Sequence, residues 1–416
     1  MILMRSNFLN DEQIKALSKV QFLLGNLDAL QKLNEVVARI PFDNRIVEFM
    51  SALSKRILAD KAAKAFSDIV TLGFWIRKTS ILSMKKRFVE GEKYMRVGRG
   101  IAFHIAPSNV PVNYAYSLFT GLLTGNINIV RIPSKNYPQV EIINHLIEEV
   151  LKDYPDMAEY IYLIRYEKNQ SINDIFSSIA DVRVVWGGDS TIMELRKSPL
   201  PPRSEEITFA DRYSLAIIDT NAYLKLDNKR KFAEAFYNDT FLTDQNACTS
   251  PRIIAWTGNE KTRAKDEFWE NLHEIVKTKY VFQPIMAVDK LTSAFLAAVY
   301  LDDVQIIPRE DNLIVRVQLS HVDDGTMDYK DNSGFFFEYD CESIMEMRSL
   351  CNNTHCQTIG YLGKFEDLKP LLESGIKGVD RVVPIGKTMD FDLIWDGYNL
   401  YDRFTRIIMR IETWKE

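Results

Sequence analysis

The fold is decided by residues 100–133, which read GIAFHIAPSNVPVNYAYSLFTGLLTGNINIVRIP. Two short runs rich in β-branched residues, GIAFHIA and NINIVRIP, flank a segment, NYAYSLFTGLL, with apolar residues at helical spacing. Strands that are apolar on both faces and take turns with helices are typical of a parallel sheet covered by helices. The stretch therefore predicts a strand, a helix and a second strand parallel to the first.

The same alternation extends along most of the chain. It continues through PQVEIINHLIEEVLKD, YIYLIRYE, INDIFSSI, VRVVWGG, TIMELRKS and YSLAIIDT. About ninety residues before it show the spacing of helices, so a helical lead-in is expected. The proline- and charge-rich LPPRSEEITFADR (200–212) predicts a domain boundary, after which the alternation restarts and runs to about Gly386.

We therefore predict an α/β fold with two parallel-sheet domains. Residues 1–212 would hold the helical lead-in and a nucleotide-binding domain, and residues 213–386 a second α/β domain. The aromatic, amphipathic tail 387–416 is expected to pack back on another domain or on a partner subunit.

Composition limits the function classes. The 416 residues are 46% apolar and 26% charged, as in soluble globular proteins, and the net charge of −5 argues against a nucleic-acid surface. No signal peptide and no uninterrupted apolar run of membrane-span length is visible, so a cytoplasmic enzyme is expected. The four cysteines, Cys248, Cys341, Cys351 and Cys356, fit free thiols in a reducing compartment better than a disulfide framework.

Two turns are candidates for ligand binding. Ligands of parallel sheets lie beyond the carboxyl ends of the strands, so the turns APSNVP (106–111) and WGGDS (186–190) are expected to line a crevice. The G-x-G-x-x-G phosphate fingerprint is missing from both turns. VGRG (97–100) precedes the first strand and is interpreted as a plain turn.

One cysteine has the surroundings of a reactive thiol. Cys248 lies in LTDQNACTSPRII (242–254), on a loop between a helix and a strand, among small and polar neighbours. Such a thiol is accessible, whereas structural cysteines usually lie within apolar runs. Arg252, four residues later, could help to hold a thiolate.

A second cysteine cluster is less informative. Cys351, His355 and Cys356 lie in CNNTHC, but their spacing is not that of a zinc knuckle and no fourth ligand is evident. No metal site is predicted.

Several motifs together resemble a known superfamily. The segments 105–138 and DQNACTSPRIIAW (244–256) resemble aldehyde dehydrogenases. IADVRVVWGGD (179–189), FADRYSLAIID (209–219), GVDRVVPIG (378–386) and IWDGYNL (394–400) are similar to one branch of them, the acyl-CoA reductases of the LuxC type. The similarity runs from about Phe74 to the C-terminus. It implies an aldehyde-dehydrogenase-like fold and the formation of fatty aldehyde.

The resemblance assigns roles to two residues. Cys248 would be the nucleophile that takes the acyl group, because a thiolate attacks a thioester without a strong base and leaves again readily. The Asn109 amide would donate to the oxyanion, with the Cys248 N–H as second donor. An Asx-type turn is the structural alternative for Asn109. Phe209 stands where the oxidising enzymes carry a water-activating glutamate, so the acyl-enzyme is expected to accept hydride instead.

The resemblance also bears on the cofactor. NAD-preferring relatives carry a glutamate for the 2′-hydroxyl of adenosine, where this chain has Lys135, with Arg131 nearby; a lysine favours a 2′-phosphate and therefore NADPH. A solvated loop lysine is the alternative. Gly187 and Gly188 would let their turn approach the nicotinamide half or the pyrophosphate, facing the N-terminus of the following helix. The cofactor contacts predicted are Pro107, Ser108, Arg131, Ser134, Lys135, Gly187 and Gly188.

The predicted function is NADPH-dependent reduction of an acyl-CoA, or of an acyl group loaded by another enzyme, to the aldehyde through an acyl-enzyme on Cys248. One alternative is a cysteine acyltransferase or thioesterase on the same scaffold. Another is a non-catalytic, nucleotide-binding subunit of an acyl-activating complex. The resemblance also implies an acyl-activating synthetase (LuxE-like) as a partner and a homo-oligomer formed partly by the tail.

Overall fold

A computed structural model describes residues 8–307 and 311–409. The chain divides into two compact units. The first unit ends at residue 210 and takes up the chain again from residue 391, and the second unit comprises residues 211–390. The functions predicted for these parts of the chain stay predictions at this point.

The first unit combines a helical lead-in with a sheet. Its helices are α1 (Asp11–Leu17), α2 (Leu27–Leu30), α3 (Asn44–Ala59), α4 (Ser67–Trp75), α5 (Lys78–Val89), α6 (Asn113–Leu123), α7 (Pro138–Leu151), α8 (Gln170–Ser178) and α9 (Asp189–Leu195). Its strands up to residue 210 are β1 (Gln21–Leu24), β2 (Met95–Gly98), β3 (Ile101–Ile105), β4 (Ile127–Arg131), β5 (Ile161–Arg165), β6 (Val182–Trp186) and β7 (Glu205–Phe209).

The first sheet has the strand order β1-β5-β4-β3-β6-β7. Strands β3 to β7 run parallel, whereas β1 joins one edge antiparallel to β5. The chain winds outward from β3 through β4 and β5, then returns to the other side of β3 through β6 and β7. The strand order thus reverses between β3 and β6, and a crevice opens at such a point in α/β sheets.

Two elements differ from the sequence-based prediction. The segment QFLL, predicted as helix, is the strand β1, because Gly25 turns the chain at φ +77° and Asn26 caps a new helix. The predicted boundary segment contains β7, which pairs with β6 before the first unit ends at residue 210. The proline and charged residues of this segment gave no sign of the edge strand that it contains.

The second unit has its own sheet, in the order β10-β11-β12-β9-β8-β13-β14, parallel except for β10. The strands are β8 (Tyr213–Asp219), β9 (Pro251–Thr257), β10 (Gln305–Ile307), β11 (Val315–Leu319), β12 (Phe335–Asp340), β13 (Cys356–Leu362) and β14 (Arg381–Pro384). The helices are α10 (Thr220–Leu224), α11 (Lys229–Thr240), α12 (Lys261–Lys279), α13 (Pro284–Tyr300), α14 (Arg348–Asn352) and α15 (Phe365–Glu373).

Burial on both faces explains the apolar strands of this unit. Along β8, Leu215 and Ile217 belong to one core cluster, while Ala216 and Ile218 belong to another. Side chains alternate across a strand, so the two clusters lie on opposite faces of the sheet. Residues 215–218 are continuously apolar because helices cover both faces of the sheet.

The C-terminal segment packs back on the first unit. It contains β15 (Ile394–Trp395), β16 (Tyr398–Asn399), α16 (Leu400–Phe404) and β17 (Thr405–Ile408). Strand β17 pairs antiparallel with β2, and the Phe391 ring stacks on Tyr116 with centroids 4.9 Å apart. The tail's aromatic residues thus contribute to packing within the first unit, and its role in an oligomer stays a prediction. Among the described residues, no helix has the length and apolar character needed to cross a bilayer.

Candidate active site

Cys248 is half-buried on a loop that enters β9 at the amino edge of the second sheet. The loop begins with two consecutive left-handed residues, Asp244 at φ +49° and Gln245 at φ +59°. Non-glycine residues adopt this conformation at a cost, so it persists only where other contacts enforce it.

Gln245 supplies those contacts. Its buried side-chain amide donates to the carbonyl oxygens of Pro251 at 2.9 Å and Phe335 at 3.0 Å, and its Oε1 accepts from the Gly334 N–H at 2.9 Å. The loop before Cys248 is thereby fixed to the first residue of β9 and to the start of β12. A fully satisfied buried amide of this kind makes the loop rigid.

Ser214 holds the loop from the other side. Its hydroxyl donates to the Cys248 carbonyl oxygen at 2.7 Å and accepts from the Thr358 N–H at 3.2 Å. The pairing of β8 with β9, and with β13, shifts register beside Ser214. The serine side chain therefore replaces ladder hydrogen bonds that the irregular backbone leaves unmade.

Arg252 is the cation nearest in sequence to this thiol. Its guanidinium donates to the Asp331 carbonyl oxygen at 2.6 Å and to the side chain of Asn332. Burial lowers the pKa of Arg252 to about 10, against the opposing charges of Cys248, Asp331 and Asp211. The electrostatic coupling to Cys248 agrees with the predicted role of Arg252, which stays a prediction.

Asp211 is not recognisable from the sequence, in which Phe209 favours a site without a carboxylate. Phe209 is buried at the end of β7, and its ring stacks on Trp186 at 3.7 Å. Asp211 is exposed two residues later, and its charge acts on Arg252. No sequence pattern pointed to it, since Asp211 acts on Arg252 only because the pairing of β8 with β9 brings these distant segments together.

A buried carboxylate supports the far side of the Cys248 loop. Asp239 accepts from the N–H groups of Gly386 at 2.5 Å and Thr388 at 3.1 Å. The next residue, Met389, accepts a hydrogen bond from the Thr249 hydroxyl at its Sδ over 3.1 Å. Burial raises the pKa of Asp239 to about 6, despite these hydrogen bonds. Asp239 thus positions a loop that contacts the neighbour of Cys248.

In the first unit, the structure brings together the turns that follow β3 and β4. The Tyr137 hydroxyl donates to the Ser108 carbonyl oxygen at 2.5 Å, which fixes the turn carrying Pro107 and Asn109. Asn109 and Ser108 are exposed. The tyrosine was not identified from the sequence, although it lies in the quoted motif.

The two predicted cofactor cations have different surroundings. Arg131 is partly buried, donates to the Tyr166 carbonyl oxygen at 3.2 Å and lies over that ring at 4.6 Å. Lys135 is exposed beside Ser134, with its Nζ 4.9 Å from the centre of the Tyr137 ring. Lys135 is therefore the better placed of the two to meet a solvent-borne anion.

Gly187 and Gly188 follow β6, the strand beside β3, at the point where the strand order reverses. A Cβ on Gly188 would meet no atom within 4 Å, whereas one on Gly187 would contact the Thr191 side chain at 3.0 Å. The sequence favours Asp189 as the N-cap of this helix, because a capping aspartate accepts from free N–H groups. That prediction is wrong: the cap of α9 is Gly188, and Asp189 lies in the first turn.

The predicted residues therefore form two groups. The cofactor residues lie at the carboxyl edge of the first sheet, and Cys248 and Arg252 at the amino edge of the second. Asn109 and Cys248 belong to different units, and their pairing stays a prediction. Within residues 8–307 and 311–409, no group of three or more His, Cys, Asp or Glu side chains is arranged to hold a metal ion.

Solved structures similar to this chain share an aldehyde-dehydrogenase-like fold. An NAD-dependent benzaldehyde dehydrogenase from Corynebacterium glutamicum matches with a TM-score of 0.60 and 13% identity, over 89% of this chain and 85% of that one. A glyceraldehyde-3-phosphate dehydrogenase from Methanocaldococcus jannaschii, complexed with NADP, matches with a TM-score of 0.62 and 14% identity, over 98% and 96%. At these identities the likeness establishes the fold, which confirms the predicted fold class.

Curated relatives are named for thioester reduction. Long-chain acyl-protein thioester reductase 2 of Photobacterium leiognathi is 24% identical over 187 residues, and the corresponding reductase of Vibrio harveyi is 25% identical over 186. Each match covers 44% of this chain and only 38% of the relative's length. The family model for acyl-CoA reductase (LuxC) matches residues 25–299, well over half of the chain. The chain belongs to the acyl-CoA reductase (LuxC) family.

Proposed function

We propose that this chain reduces an acyl thioester to an aldehyde, with Cys248 as the nucleophile and NADPH as the reductant. The observation that carries the proposal is the Cys248 loop, in which a half-buried thiol beside a buried arginine is held by Gln245 and Ser214. The thioester reductases named among the relatives support it, although they match over less than half of their length.

The proposed reaction has two stages. The Cys248 thiolate attacks the acyl carbon, the donor thiol leaves with the electron pair of its C–S bond, and the acyl group stays on Sγ. NADPH, when bound, would supply a hydride to that carbon. The resulting oxyanion re-forms the carbonyl and expels the Cys248 thiolate, which releases the aldehyde. The Asn109 amide and the Cys248 N–H would hold the oxyanion, a contribution of about 3 kcal/mol to the barrier for one such donor.

The first unit offers surroundings that fit a phosphorylated dinucleotide. The open space beside Gly188 leaves room for a ligand to approach the backbone. Lys135 presents its charge to solvent on the turn that Tyr137 fixes to Ser108. A lysine here favours a 2′-phosphate. Pro107, Arg131, Ser134 and Gly187 complete the proposed contacts.

The acyl donor is proposed to be acyl-CoA or an acyl group presented by an activating synthetase, and the enzyme to be a homo-oligomer. A thioesterase is the second candidate because Asp211 places a carboxylate near Arg252, itself coupled to Cys248. A carboxylate there could act as a general base for a water molecule, and that water would hydrolyse the acyl-enzyme before hydride transfer.

The test is intact-protein mass spectrometry after mixing with acyl-CoAs of different chain length, with and without NADPH. We expect an acyl adduct that persists alone, disappears with NADPH as aldehyde forms, and is absent from Cys248→Ala. Equal decay without NADPH, abolished by Asp211→Asn, would instead establish the thioesterase. An adduct that also forms on Cys248→Ala would refute the assigned nucleophile.

A further inference from the structure

Lys290 of α13 is a fully buried lysine that the proposed reaction does not use. Its Nζ donates to three backbone carbonyl oxygens, those of Asn312 at 2.6 Å, Leu313 at 2.9 Å and Ser333 at 2.8 Å. An ammonium group carries three hydrogens, so each hydrogen has one acceptor. The Nζ also lies 4.9 Å from the centre of the Phe282 ring. The surroundings of this buried cation thus replace the water that it has lost.

The burial of this cation is costly. Burial lowers the pKa of Lys290 to about 7, against the opposing charges of Asp331 and Asp311. An apolar side chain of similar length could fill the same space without that cost. What the lysine adds over such a side chain is its three bonds to carbonyl oxygens, which fix two segments of backbone to α13.

One of these segments, DNSG (331–334), leads into β12. Ser333 has a left-handed backbone at φ +57°, a conformation that persists in a serine only where other contacts enforce it. Helix α13 supplies two of these contacts from one face. Lys290 bonds to the Ser333 carbonyl oxygen, and the Ser293 hydroxyl, three residues further along the helix, donates to the Asp331 carboxylate at 2.7 Å.

The DNSG segment in turn holds the start of the Cys248 loop. The Ser333 N–H donates to the Asp244 carbonyl oxygen at 3.0 Å, and the Gly334 N–H donates to the Gln245 side chain at 2.9 Å. These acceptors belong to the two consecutive left-handed residues with which that loop begins. The strained backbone before the thiol is therefore bonded to a segment that α13 fixes.

The cation coupled to the thiol is held by the same segment. Arg252 donates to the Asp331 carbonyl oxygen at 2.6 Å and to the Asn332 side chain. Its pKa responds to the charge of Cys248. A shift of the DNSG segment would therefore displace both the loop that carries the thiol and the arginine beside it.

We propose that Lys290 is a positioning residue for the Cys248 thiol, which it holds in a reactive geometry through the DNSG segment. Lys290 acts indirectly: α13 fixes the segment, and the segment fixes Gln245 and Arg252. The inference rests on the proposed role of Cys248 as the nucleophile. Alkylation of this thiol by iodoacetamide needs neither acyl donor nor cofactor, so it tests the positioning separately from the proposed reaction.

The first variant, Lys290→Met, removes the three hydrogen bonds and nearly keeps the side-chain length. The rates are compared at about pH 6, where the wild-type lysine is mostly charged. We expect alkylation of Cys248, read by mass spectrometry, and single-turnover acylation by acyl-CoA each to slow about tenfold, because a displaced reacting group slows the chemical step. The acyl-CoA concentration that gives half the maximal acylation rate should stay unchanged, since the substrate contacts remain.

Lys265→Met is the matched control. Lys265 is also a buried lysine on a helix of the second unit, but it bonds to Gln318 at 2.7 Å and Asp340 at 2.6 Å. These partners lie at the carboxyl ends of β11 and β12, whereas the DNSG segment lies at the amino end of β12. The control should destabilise the chain and leave both rates unchanged.

A milder variant keeps the proposal falsifiable if Lys290→Met does not fold. Ser293→Ala removes one hydrogen bond from the DNSG segment and should slow both rates about two- to threefold. Thr292→Ala is its control, because the neighbouring Thr292 hydroxyl donates within its own helix, to the Val288 carbonyl oxygen at 2.7 Å.

Equal rates in Ser293→Ala and Thr292→Ala would overturn the proposal, and so would equal rates in folded Lys290→Met and Lys265→Met. A rise in the half-saturating acyl-CoA concentration with no change in either rate would also overturn it. An acyl adduct on Cys248→Ala would refute the proposed function instead. The alkylation rates would then still show whether Lys290 positions the thiol.

Discussion

The Ser214 hydroxyl donates a hydrogen bond to the backbone carbonyl oxygen of Cys248, over 2.7 Å. This bond joins the candidate nucleophile to β8 at the place where the strand pairing shifts register. Ser214→Ala would remove the hydrogen bond to the Cys248 carbonyl and take from the buried Thr358 N–H its acceptor. We expect it to lower the free energy of unfolding by about 2–4 kcal/mol. Acylation of Cys248 should slow several-fold, as measured by stopped-flow release of CoA.

Ser54→Ala provides the control for the Ser214 variant. Ser54 is equally buried, and its hydroxyl donates to the Gly73 carbonyl oxygen at the same 2.7 Å, in the first unit. It should lower stability by about 1–3 kcal/mol and leave the acylation rate unchanged. Equal acylation by both variants would show that Ser214 is structural only.

Arg252 is expected to set the pH dependence of the Cys248 thiol. Arg252→Met removes a buried cation whose pKa responds to the charge of Cys248. Without this cation the thiolate is less stable, so the pH profile of Cys248 alkylation should move upward by roughly one unit. The measurement is the rate of iodoacetamide labelling between pH 6 and 10, read by mass spectrometry.

The control for Arg252 is another shielded arginine of the second unit. Arg316 contacts Glu338 at 2.6 Å, and Arg316→Met should destabilise the chain through that carboxylate. Its alkylation profile should keep the wild-type midpoint. A profile that stays fixed in Arg252→Met would mean that this arginine serves only to hold Asp331 and Asn332.

Lys135 is expected to set the cofactor preference. Lys135→Glu should raise the KM for NADPH at least tenfold and leave that for NADH unchanged or lower, because a carboxylate repels a 2′-phosphate. Lys168→Glu makes the same charge change on an exposed residue after β5, at the same edge of the sheet. It should affect both cofactors little. A similar response of the two variants would show that Lys135 acts only through the overall positive charge at this edge of the sheet, and not by a specific contact with the 2′-phosphate.

The fold was largely predictable because strands that are buried on both faces consist of consecutive apolar residues, which are visible in the sequence. Residues 215–218 of YSLAIID and 253–256 of RIIAW alternate between two cores, so each of these positions is apolar and the strands stand out. The strand β1 was not predictable: QFLL is short, lies at an edge and continues a helical pattern. Its conformation depends on β5, far along the chain.

The sequence could suggest only the candidate reactive residues of the site. A cysteine among small polar residues is visible in one window of sequence, and so is a lysine in a proline-rich turn. The groups that hold Cys248 are not, since Ser214 and Asp239 reach its loop through pairings of distant segments. The Gln245 bonds to Phe335 and Gly334 likewise join residues about ninety positions apart.

Asp239 makes the free energy of unfolding depend on pH. Burial raises its pKa from 3.8 to about 6, so the folded chain favours the protonated form. Its contribution to folding is therefore fully present below about pH 4 and is lost as the pH rises through 6. Two pKa units correspond to roughly 3 kcal/mol. Asp239→Asn removes this titration. The free energy of unfolding of the wild type, minus that of the variant, should therefore fall by about that amount between pH 4 and 7.

Urea unfolding of both chains at several pH values measures this difference. The Asp156→Asn control should give the opposite trend, because hydrogen bonding to Arg45 lowers the pKa of Asp156. The stability that a carboxyl group contributes through a lowered pKa is lost as the pH falls. For Asp156 this contribution is small, because the site is exposed to solvent. A difference for Asp239 that stays constant, or grows with pH, would mean that its carboxyl is charged in the folded chain at all these pH values. The N–H groups of Gly386 and Thr388 would then outweigh burial in fixing the loop beside Thr249.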